Sequence, residues 1–174
     1  MPARLLLAVA LAASSPAFGY PDASPWGAAN PSAAEACSSC HYDYEPVTES
    51  EALGIDGLPD AAVPGETYRV VVRMTGVDAA VSGFQLITTA GTFSSDEAAL
   101  EAAGNAIRST TVAANRGSVE WGFSWKPAEA PGETVEMYLA VSAANNDQSP
   151  FGDTIHYRRF VISLQQQNAD RKKP

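Results

Sequence analysis

The stretch Ser118–Trp125, SVEWGFSW, decides the fold class. Val119, Trp121, Phe123 and Trp125 fall on one side of an extended chain, and Glu120, Gly122 and Ser124 fall on the other. Successive side chains of a strand point to opposite faces, so a period of two with large apolar groups at one parity marks a half-buried strand. The same pattern recurs outward in both directions. Tyr68–Thr75 (YRVVVRMT) places Tyr68, Val70, Val72 and Met74 together, and Thr134–Ala143 (TVEMYLAVSA) does so with Val135, Met137, Leu139 and Val141. Val81–Ala90, Ser109–Ala113 and Thr154–Leu164 read as further strands. Turn chemistry separates most of them: Pro64-Gly65-Glu66, Arg116-Gly117, 127–132 and the polar run Asn145–Asp153; ahead of them Gly54, Gly57 and Pro59 are expected to mark turns in the mixed stretch Tyr42–Asp60. Ser94-Ser95-Asp96-Glu97 has the form of a capping box and predicts a short Ala-rich helix to about Ala103, ended by Gly104-Asn105. No strand–helix–strand rhythm is present, so the expectation is an all-β, antiparallel β-sandwich with one short helix. The aromatic face of Trp121, Phe123 and Trp125 is assigned to its core.

The ends read differently. Arg4 followed by the nine apolar residues Leu5–Ala13 and small-residue cleavage sites near Ala17 and Gly19 predicts a secretory signal peptide over 1–19. The apolar run is shorter than the roughly 20 residues that span a bilayer. No second long apolar run follows, so the mature chain is expected to be exported, periplasmic or secreted, and not membrane-spanning. Residues 20–35 read as an extended leader, 20–165 as one domain, and 166–174 as a polar tail without an anchor. Twenty acidic against eleven basic residues give a net charge of -9. Nucleic acid is excluded as a partner, because neutralising phosphates needs clustered Lys and Arg.

Cys37-Ser38-Ser39-Cys40-His41 carries the chemistry. C-x-x-C-H is the attachment motif of a c-type haem: two thiols at this spacing add to the two porphyrin vinyl groups, and the adjacent imidazole ligates the iron. Cys37 and Cys40 are thus the expected thioether donors of one covalent haem c, and His41 the proximal iron ligand. A structural zinc site is disfavoured, since the chain holds two Cys and two His in all. Tyr42 and Tyr44 follow closely and either stack on the porphyrin or cover an end of the sandwich. The usual distal ligands are His or Met. Outside the leader these are His156, Met74 and Met137; the two methionines have the parity of their strands' apolar faces, which leaves His156 as the first candidate. An open distal position is the remaining option. Asp153 with Asn145, Asn146 and Asp147 offers oxygen ligands in one loop, but turn chemistry explains that spacing better than calcium does. No Ser-His-Asp arrangement, carboxylate pair or phosphate-binding loop is present, so the chain is not expected to be an enzyme.

In order along the chain, CSSCH, Pro64-Gly65-x-x-Tyr68, Gly83-Phe84, Trp121-x-x-x-Trp125-x-Pro127 and Gly152-Asp153 resemble the Reeler-like bacterial domains labelled choice-of-anchor V, from Cys37 to Val161. The resemblance implies a secreted, immunoglobulin-like sandwich with C-x-x-C-H near the mature N-terminus. Where many relatives carry a histidine upstream of the paired tryptophans, Ser109–Trp121 has none. The expected function is electron transfer by an exported monohaem protein to a redox partner protein at the cell exterior or membrane. Two alternatives stand beside it: a haem-free adhesion or binding module with a Cys37–Cys40 disulfide, and a haem-based sensor of small ligands.

Overall fold

The computed structural model describes residues 24–33, 36–128 and 133–165; the leader 1–19 and the tail 166–174 expected from the sequence lie outside them. Along the described chain run α1 (Cys37–Cys40), β1 (Leu53–Asp56), β2 (Ala61–Ala62), β3 (Tyr68–Thr75), β4 (Val81–Thr88), β5 (Thr92–Ser94), β6 (Leu100–Ala103), β7 (Ala106–Ser109), β8 (Ala113–Ala114), β9 (Ser118–Lys126), β10 (Thr134–Ala144) and β11 (Thr154–Leu164). They form a sandwich of a four-stranded sheet, β1-β3-β9-β5, and a seven-stranded sheet, β2-β11-β10-β4-β7-β6 with β8 also on β4. The pairings are antiparallel apart from β2 on β11.

The alternation seen in the sequence is the burial pattern of the strands. Tyr68 of β3 lies opposite Trp125 of β9, and Thr75 opposite Ser118, without a bulge. Val70, Val72, Met74, Trp121, Phe123 and Trp125 therefore share one buried face. Phe84, Leu86, Met137, Leu139 and Val141 of the larger sheet meet them. Phe84 packs at 4.8 Å from Trp121 and stacks on Phe123 at 5.9 Å, while Phe93 meets Phe123 edge-on at 5.6 Å between centroids. Burying one such large side chain is worth about 1.5–3 kcal/mol.

Four local expectations are corrected. The segment expected to be a helix from Ser94 to Ala103 holds the end of β5 and the strand β6. Ser95 Oγ accepts from Glu97 N at 3.1 Å, an i, i+2 turn in place of a capping box. Gly104-Asn105 is the two-residue turn of the β6–β7 hairpin, with Gly104 at φ 60. Asn105 is pinned on β4, its Nδ2 donating to Thr88 O and its carbonyl accepting from Thr88 N, both at 2.9 Å. A segment whose one large apolar side chain is Leu100 has no stripe to bury as a helix, and cross-strand pairing wins. Secondly, the strand expected at Ser109–Ala113 is two pieces, β7 ending at Ser109 and β8 starting at Ala113. Thirdly, Gly54, expected to mark a turn, lies inside β1. Finally, residues 26–33 are a string of turns rather than an extended leader.

Candidate functional site

The larger sheet has a second face, turned away from the core, and residues 24–33 and 36–41 cover it. Gln85 of β4 points to that face and is 1% exposed. Its Nε2 donates to Ser24 Oγ at 2.8 Å and to Pro25 O at 2.7 Å, and its Oε1 accepts from Ala29 N at 3.3 Å. Arg108 of β7, opposite Gln85 in register, donates to Ser24 O and lays its guanidinium 4.0 Å from the centre of the Trp26 ring. These bonds hold a covering layer of turns whose Ala28 and Ala29 are fully buried.

The layer delivers α1 to β11. Cys37 N donates to Ala28 O at 3.1 Å, His41 N to Cys37 O at 3.1 Å, and Ser38 N to the Tyr157 hydroxyl at 3.1 Å. The helical turn sets Cys37 and Cys40 as i, i+3 neighbours. Cys37 is the inner one, packed on the small apolar cluster of Ala29, Ala140, Ile155 and Tyr157, while Cys40 is exposed. Burial pushes the Cys37 thiol up to about 12 and raises the Tyr157 phenol as well. Both thiols are free.

His41 is held from behind. Its Nδ1 lies 2.8 Å from Asp153 Oδ2, with the His41 side chain 32% exposed and that of Asp153 3%. Asp153 Oδ1 accepts from Asn145 N at 3.2 Å. The loop between them is built from successive i, i+2 bonds: Asp147 N to Asn145 Oδ1 at 3.0 Å, Ser149 N to Asp147 Oδ1 at 2.9 Å, Phe151 N to Ser149 Oγ at 3.2 Å. Asn145 Oδ1, Asp147 Oδ1 and Asp153 Oδ1 thus accept from backbone N–H groups, the turn chemistry expected of this loop in preference to calcium. Gly152 adopts φ 83, and a Cβ there would lie 2.7 Å from Asn145 Nδ2, so the loop needs glycine. Two further contacts close the loop on the motif: Gly152 N donates to Asp43 Oδ2 at 3.0 Å, and the Tyr42 ring meets Phe151 edge-on at 5.7 Å.

The structure does not bring the three distal candidates to His41. Met74 and Met137 are fully buried in the core between the sheets. His156 pairs with Val141, and Val141 with Phe84, which puts it at the parity of the inner face, whereas Ile155 and Tyr157 beneath Cys37 have the opposite parity. Its Nδ1 is 2.8 Å from Ser50 Oγ, and its ring lines an open cleft of about 480 Å³ with Val77, Ala79, Ala143, Asn145 and Thr154. Burial lowers its pKa from the usual 6.5.

The residues at the motif fit a covalent haem. A ring whose Nδ1 is tied to a carboxylate presents Nε2 as its metal-binding atom, the arrangement that recurs behind metal-bound histidines. Cys40 is exposed beside it, and Tyr42 and Tyr44 offer exposed rings. Sequence reasoning grouped Asp153 with Asn145, Asn146 and Asp147 in one polar loop and missed its bond to His41, 112 positions away. Gln85 and Tyr157, which seat the motif, were also missed. A polar residue set among Phe84, Leu86 and Ile87 was the available signal for Gln85.

No family model matches the chain, and no curated protein sequence does. Solved structures do. The Reelin-N domain of F-spondin is 21% identical, with a TM-score of 0.50 over 74% of this chain and 97% of that one. The fold is Reeler-like. Two structures of the human F-spondin reeler domain, 21% and 20% identical, cover 70% of this chain and 93% and 96% of theirs, with TM-scores of 0.45 and 0.47. The Reeler-like sandwich supplies the platform, and the likeness is one of fold alone. Among the described residues no helix is long and apolar enough to cross a membrane.

Proposed function

We propose that this is an exported protein carrying one haem c on Cys37, Cys40 and His41, and that it passes electrons to or from a partner protein outside the cytoplasmic membrane. One observation carries the reading: C-x-x-C-H sits on a helical turn seated on the larger sheet, with the His41 ring fixed by Asp153 through Nδ1 and no hydrogen bond to its Nε2 among the described residues. The haem supplies an iron that takes up and gives up one electron. The chain's own residues anchor it, aim the imidazole and keep the motif against the sheet. From Arg4 to Arg69 the sequence has no Lys or Arg, while Asp43, Glu45, Glu49 and Glu51 follow the motif. That charge favours a partner with a basic docking face. No catalytic step is assigned.

A second reading, a haem-based binder of small ligands, is favoured by the parity of His156, Met74 and Met137, which face the sandwich interior. The decisive measurement is the mass of the protein exported from a host with haem-maturation machinery. The expected product is the polypeptide plus one iron porphyrin retained after denaturation. A bare polypeptide two hydrogens short, with Cys37 and Cys40 joined, overturns both readings. Carbon monoxide then separates them: a shifted Soret band of the reduced protein assigns an exchangeable position, and an unmoved band assigns two protein ligands.

A further inference from the structure

We infer that Asp153 is a positioning residue for His41, and that the 145–153 loop exists to bury its carboxylate and hold it against the imidazole. The inference rests on the haem reading for its consequence but not for its geometry. Three observations converge on it. The carboxylate is nearly excluded from water, and an isolated buried carboxylate is costly unless hydrogen bonds satisfy it. Its two oxygens have named partners, His41 Nδ1 at 2.8 Å and Asn145 N at 3.2 Å. Asn145 is itself locked: its Nδ2 donates to Phe151 O at 3.0 Å and to Asp147 Oδ2 at 3.2 Å, and its Oδ1 accepts from Asp147 N. The loop thus spends its polar groups on one outcome, a carboxylate oxygen fixed behind one ring nitrogen.

The chemistry follows from the acceptor. A carboxylate oxygen on Nδ1 requires the proton there, so the neutral ring is the tautomer with its lone pair on Nε2. A charged acceptor also makes a stronger bond than a backbone carbonyl and raises the donor strength of the other nitrogen. An iron ligated by His41 is therefore held by an unusually electron-rich imidazole, which favours its oxidised form. Asp153 sets the potential without touching the iron.

The test uses the haem-loaded protein and the haem-free chain. In the loaded protein, Asp153→Asn gives an upward shift of the midpoint potential, because an amide oxygen is a weaker acceptor. Asn145→Ala, which keeps the carboxylate and loosens the loop, gives a smaller shift in the same direction. In the haem-free chain, two-bond proton–nitrogen couplings of the His41 ring assign Nδ1–H in the wild type and a mixture of tautomers in Asp153→Asn. Circular dichroism shows that each variant is folded. An unmoved potential with an unchanged tautomer overturns the inference. If the exported protein carries no haem, the function proposed above fails and the tautomer alone decides the role of Asp153.

Discussion

The two faces of the larger sheet are built on opposite principles. Towards the smaller sheet, Phe84, Leu86, Leu139 and Val141 meet Val72, Trp121 and Phe123 with apolar surface alone. Away from it, a single layer, residues 24–33 and 36–41, is tied down by Gln85, Arg108, Tyr157 and Asp153 through directional bonds over a small apolar cluster of Ala29, Ala140, Ile155 and Tyr157. Apolar contact has magnitude and little direction; hydrogen bonds contribute little net energy but fix geometry. The inner face holds the molecule together, and the outer face holds five residues in place.

The contrast can be broken by substitution. Phe123→Ala removes a fully buried ring touching Phe84 and Phe93, and is expected to destabilise the fold by about 3–5 kcal/mol in denaturant unfolding; an unchanged midpoint would refute the inner face as the source of stability. Gln85→Ala strands Ala29 N and Pro25 O and is expected to cost about 1–3 kcal/mol. Its distinguishing mark is proteolytic cleavage between Trp26 and His41 while β3 and β9 stay resistant; uniform sensitivity would show that the layer and the core open together. Smaller still is a pH effect on the inner side. His156 is held below its usual pKa by burial. The unfolded chain therefore binds the proton first, so stability is full above about pH 6.5 and falls as the pH drops below it towards the lower folded value. His156→Gln should flatten that decline in thermal melts over pH 5–7.5, and an unaltered slope would point to another group. Smallest of all is Arg73→Ala on the surface of the other sheet. Arg73 pairs with Asp56 at 2.5 Å and Glu120 at 2.7 Å, all three side chains about half-exposed, and its loss should leave the melting temperature within error.

The inner face was legible in the sequence and the outer one was not. β3 and β11 lie where their alternation put them, and β9 and β10 extend one residue further, because burial against one sheet imposes a period of two on whatever residues serve. Leu100 shows the limit: a lone apolar residue among alanines has no period, so a local capping pattern suggested a helix where pairing with β7 formed a strand. The motif itself was legible because C-x-x-C-H is a signature of fixed local spacing. Its seating was not. His41 finds Asp153, and Gln85 finds Ser24, Pro25 and Ala29, across 56 to 112 positions, and single bonds at such separations leave no periodic trace.

Among the described residues every strand of both sheets begins at Leu53 or later, and the motif-bearing segment adds no strand to either sheet: it is held by side-chain bonds from Gln85, Arg108 and Tyr157 and by one isolated bridge, Val47 to His156. That segment is a latch rather than a structural member. Its release would break its own bonds and leave both ladders intact, so it is expected to open at a lower free energy than the body of the molecule. Cys40 is exposed as it stands, and full access to Cys37, the half-buried inner thiol, is expected to need only that the latch lift from sheets already assembled beneath it.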